Sequence, residues 1–89
     1  MQIWFKEENE INKYIVIGKY KSYLCTIEGI KLIDNPNLAI KNEGYKNILI
    51  HKNFEILDMY KKKNIYLFLS NDRLEIVKYD KSIDVQIIV

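Results

Sequence analysis

Three stretches near the carboxyl terminus constrain the fold more than any other part of the chain. Residues 64–70 (NIYLFLS) alternate aliphatic and aromatic side chains. Residues 73–80 (RLEIVKYD) and 83–89 (IDVQIIV) alternate apolar and polar positions over part of their length, and short polar breaks separate the three. Alternation with period two is the signature of a strand, because successive side chains leave a strand on opposite faces. The three stretches therefore read as an antiparallel meander. With Asn71-Asp72 as a two-residue loop, Leu69 faces Leu74 and Leu67 faces Ile76. At the next turn, Ile83 meets Lys78, Val85 meets Ile76 and Ile87 meets Leu74. One face then carries Ile65, Leu67, Leu69, Leu74, Ile76, Ile83, Val85 and Ile87. Burying that set contributes on the order of 12–24 kcal/mol before chain entropy is subtracted, so this sheet is expected to be the core.

The rest of the chain extends the same theme. Residues 2–6 (QIWFK) read as an edge strand, followed by a polar loop over 7–12. Residues 13–20 and 23–28 read as a hairpin closed by Lys21-Ser22, with Val16 opposite Ile27, Gly18 opposite Cys25 and Tyr20 opposite Tyr23. Asp34-Asn35-Pro36-Asn37 is the strongest turn signal, since Pro presets φ and Asn tolerates the left-handed region. A short strand over 38–40, a turn at Glu43-Gly44 and a strand over 46–51 follow. Residues 53–64 (NFEILDMYKKKN) carry helix signals: Asn53 as N-cap, Glu55 in the first turn, three lysines in the last, and apolar residues at helical spacing.

The fold expected from these readings is α+β. It is a mostly antiparallel sheet of six or seven strands with one short helix near 53–63. An all-β sandwich or small barrel, with 53–63 as a strand, is the alternative. Ile, Leu, Tyr and Val dominate the apolar residues and Ala39 is the only alanine, which favours sheet over helix. There is no internal repeat, low-complexity tract or Pro/Gly/Ser linker, so residues 1–89 are read as a single domain.

Charge and chemistry narrow the function classes. The net charge is +2, from 14 basic and 12 acidic residues, too small for bulk electrostatics to drive nucleic-acid or membrane binding. Arg73 is the only arginine, so bidentate phosphate and base contacts are scarce. No apolar run approaches the ~20 residues a membrane helix needs. Cys25 is the only cysteine, which precludes an internal disulfide and suggests a cytoplasmic protein. Cys25 and His51 could form a nucleophile–base pair in principle. A thiol at an inward strand position is more often a small core residue. No Cys/His spacing fits a metal, and Gly18, Gly29 and Gly44 are too isolated for a phosphate loop. The chain is therefore read as non-catalytic, with no cofactor and no metal.

Two surfaces are left as binding candidates. Opposite the aliphatic face of the meander lie Tyr66, Phe68, Val77 and Tyr79, with Arg73 at the rim. Such an aromatic face reads first as a second core layer on which the helix or the amino-terminal hairpin packs. It reads next as an interface for a homodimer or another protein partner, and last as a stacking platform for single-stranded nucleic acid. The other candidate is a pair of Lys/Tyr clusters, Tyr60 with Lys61, Lys62 and Lys63, and Lys19 and Lys21 around Tyr20, suited to nucleic acid or a nucleotide. The leading expectation is a small interaction or regulatory protein acting through the aromatic face. Phages and other mobile elements often use chains of this size as inhibitors. Nucleic-acid or nucleotide binding through the Lys/Tyr clusters is the alternative.

Overall fold

The computed structural model describes the backbone of residues 1–50, 52, 56–62, 65–70, 74–79 and 85–88, and the side chains of 1–50, 52, 56–61 and 69. These residues form nine strands and one short helix, a mostly antiparallel α+β fold. The strands are β1 (Gln2–Glu8), β2 (Ile11–Ile17), β3 (Ser22–Thr26), β4 (Gly29–Leu32), β5 (Lys46–Ile50), β6 (Ile56–Lys62), β7 (Ile65–Ser70), β8 (Leu74–Tyr79) and β9 (Val85–Ile88), and the helix is α1 (Pro36–Glu43). They build a five-stranded sheet in the order β4-β3-β2-β1-β5 and a four-stranded meander in the order β6-β7-β8-β9. The two sheets do not close into a barrel.

The amino-terminal sheet grows from tight turns. Asn9 and Glu10 both take positive φ, 52° and 63°, which lets a two-residue turn match the twist of β1 and β2. The polar loop expected over 7–12 shrinks to these two residues, and Glu8 pairs with Ile11. β1 is an interior strand rather than an edge, because β5 pairs on its other side. The β2–β3 register also differs from expectation: Tyr14 opposes Cys25 and Val16 opposes Tyr23. Residues 18–21 form the loop, closed by the Gly18 amide donating to the Lys21 carbonyl at 2.9 Å. The shift is an even number of residues, so Tyr14, Val16, Tyr23 and Cys25 keep one inward face, but Tyr20 and Ile27 fall outside the ladder and are exposed.

The helix lies where a turn and a short strand were expected. Asn35 caps it, its side chain accepting the Leu38 amide at 3.3 Å, and Pro36 occupies the first turn. Gly44 ends it in the left-handed region at φ 76°. Asn-Pro followed by Gly eight residues on is as good a cap-and-stop pattern as it is a turn pattern. α1 carries the chain from the β4 edge to the β5 edge and lies beside β2.

The helix expected near 53–63 is instead β6. Ile56 and Met59 are both buried, three residues apart, a spacing that looks helical. A register shift between Ile56 and Asp58 produces that spacing within a strand. The extra residue of a bulge turns the two-residue period into three.

The described core sits on one face of the amino-terminal sheet: Ile3, Phe5, Tyr14, Val16, Tyr23 and Cys25, sealed by Ile56 and Met59 from β6. The Phe5 and Tyr14 rings pack at 5.2 Å. Ile15 is also fully buried, on the opposite face, where Trp4 and Leu24 are its cross-strand neighbours. The core was expected on the carboxyl-terminal meander. Leu69, the one member of that aliphatic set whose side chain is described, is 37% exposed.

The β7–β8 register is the expected one, with Leu67 opposite Ile76 and Leu69 opposite Leu74. β9 is displaced from expectation by three residues, so that Ile88 opposes Ile76, Ile87 opposes Val77 and Val85 opposes Tyr79. An odd displacement changes which residues share a cross-strand row. The alternating run 83–89 is apolar at both parities near its end (Ile87, Ile88, Val89), so its pattern does not select one register.

Candidate binding surface

The surface with the most described polar chemistry forms where β6 meets the amino-terminal sheet. Ile56 anchors β6 beside Gly18. A Cβ on Gly18 would stand 3.4 Å from that of Ile56, in van der Waals contact, and 2.8 Å from the Lys21 carbonyl oxygen, so it is the β2–β3 loop that requires glycine here. β6 then runs beside β4 without joining its ladder.

Side chains tie this seam where backbone pairing is absent. The Asp58 carboxylate accepts the Tyr23 hydroxyl at 3.3 Å, the Tyr60 hydroxyl at 3.2 Å and the Met59 amide at 2.8 Å. Those bonds favour the ionised carboxylate, the Met59 amide most strongly, and with nearby Lys21 they hold its pKa below the usual carboxylate value. Tyr23 is pushed up to about 12, first by burial and then by the negative charge of Asp58. Further along, the Lys61 ammonium donates to the Ile27 carbonyl.

This geometry brings parts of the two Lys/Tyr clusters together. Lys21, at the β2–β3 loop, acts electrostatically on Asp58, which Tyr60 also touches. Tyr20 and Tyr60 are 68% and 50% exposed, and the Lys19 ammonium lies 5.5 Å from the Tyr20 ring centre. One of the candidate cations, Lys61, is engaged internally by a backbone carbonyl. Lys62 belongs to β6, with its side chain outside the described residues, and Lys63 lies outside them altogether.

The aromatic-face residues are placed by backbone only. Tyr66 pairs with Lys61 and Val77, and Phe68 pairs with Met59 and Glu75. Tyr79 pairs with Val85. Their side chains, and Arg73 entirely, lie outside the described residues. Tyr60 and Asp58, by contrast, pair with Leu67 and Leu69.

Cys25 is fully buried, and burial pushes its thiol up to about 12, so it is an inert core group at neutral pH. His51 lies outside the described residues. A second polar cluster sits on the outer face of the amino-terminal sheet, where the Glu8 carboxylate bridges Lys6 at 3.1 Å and Lys13 at 3.3 Å. These cations, Lys6 first, lower the Glu8 pKa. Among the described residues no group of three or more His, Cys, Asp and Glu is placed to hold a metal, and no helix is long and apolar enough to cross a membrane.

Reading the sequence for motifs passed over Asp58. Its signal was a carboxylate in an otherwise apolar stretch with Tyr60 two positions on, which share a side if the segment is a strand. No protein-family model, curated protein or solved structure matches this chain.

Proposed function

We propose that the chain is a small non-catalytic interaction protein that binds another polypeptide, a second copy of itself or a different protein, through its β6–β9 sheet. The observation that carries this reading is the exposure of Leu69 on β7, next to half-exposed Tyr60 on β6. Register continues the same rows into Leu67, Leu74 and Ile76. Contiguous exposed apolar patches mark interaction surfaces, and Leu69 and Tyr60 are the described residues at which such a patch would start. The aromatic row of Tyr66, Phe68, Val77 and Tyr79, with Arg73 at its rim, is the other candidate interface on this sheet. Burial of Met59, the register partner of Phe68, favours the aliphatic row. The inertness of Cys25 supports a non-catalytic role, and inhibition by occupying a partner's surface is one form such a role takes. The test is sedimentation of Leu69→Ser beside the Tyr66→Ser/Phe68→Ser double variant. Weakened self-association in Leu69→Ser supports the aliphatic row. Loss in the double variant alone moves the interface to the aromatic row, and persistence in both overturns the proposal.

Nucleic-acid or nucleotide binding is a second reading, favoured by the exposed Tyr20 and Tyr60 rings and by the Lys19 ammonium beside Tyr20. Phosphate contacts release counterions, so binding of this kind weakens steeply with salt, whereas an apolar interface responds little.

A further inference from the structure

We draw no further inference here: the strongest candidate, a groove of about 300 Å³ on the outer face of the amino-terminal sheet between Ile11, Leu24 and Ile27 with Lys13 and Lys31 at its rim, is an apolar surface whose charges are offset by Glu8 and Glu28, and nothing in the structure shows what covers it.

Discussion

Replacing Ile56 by Ala tests the most consequential structural feature, the insertion of β6 into the amino-terminal core. Ile56 is fully buried and packs where Gly18 offers no side chain to refill the space. Large-to-small changes at such sites cost ~2–5 kcal/mol, and a neighbour that cannot collapse puts this one at about 3 kcal/mol. Leu57, 38% exposed at the register shift, should cost no more than about 1 kcal/mol when cut to Ala. Urea unfolding followed by tryptophan fluorescence reads both. With a slope of roughly 1.5 kcal/mol per molar, the Ile56→Ala midpoint falls by about 2 M and the Leu57→Ala midpoint by less than about 0.7 M. On a helix over this segment, Leu57 would sit in the apolar seam with Ile56. Equal losses for the two variants would therefore refute the strand and its bulge.

Gly18→Ala should destabilise by ~1–3 kcal/mol, because the new Cβ would stand 2.8 Å from the Lys21 carbonyl oxygen, a backbone atom that cannot swing away; an unchanged urea midpoint would contradict this. Asn35→Ala removes the α1 cap and should cost about 0.5–1 kcal/mol, read in the same melts, with no loss at all being the contrary result. Alkaline stability follows from Cys25 and Tyr23, whose pKa values rise from 9.0 and 10.0 in the unfolded chain to about 12 when folded. A raised value means the folded chain holds its proton more tightly. The stabilisation is thus complete below pH ~9 and is lost as pH climbs toward ~12, so the urea midpoint should fall between about pH 8 and pH 11. Cys25→Ala should flatten the lower part of that decline.

Strand content was largely legible because alternation reports burial on one face, and β7 and β8 pair in the register their residues require. Three failures have definite causes. At β6, the bulge placed buried Ile56 and Met59 three apart, and the lysines after Tyr60 resembled a helix end. At 34–44, Asn-Pro and Gly serve turns and helix termini equally, and a helix with no buried residue leaves little apolar periodicity to distinguish them. At β9, consecutive apolar residues near the end removed the parity signal that fixes register. The Asp58 cluster joins residues 35 positions apart, Tyr23 and Asp58, and only the packing of β6 on the first sheet creates it.

The most direct test of the proposed function is the solution mass, by light scattering at two protein and two salt concentrations, with the 260/280 nm absorbance ratio on the same peak. A dimer that persists at high salt and carries no nucleic acid is the predicted result. A monomer whose 260 nm absorbance is stripped away by salt would contradict it and place the Lys/Tyr surface first.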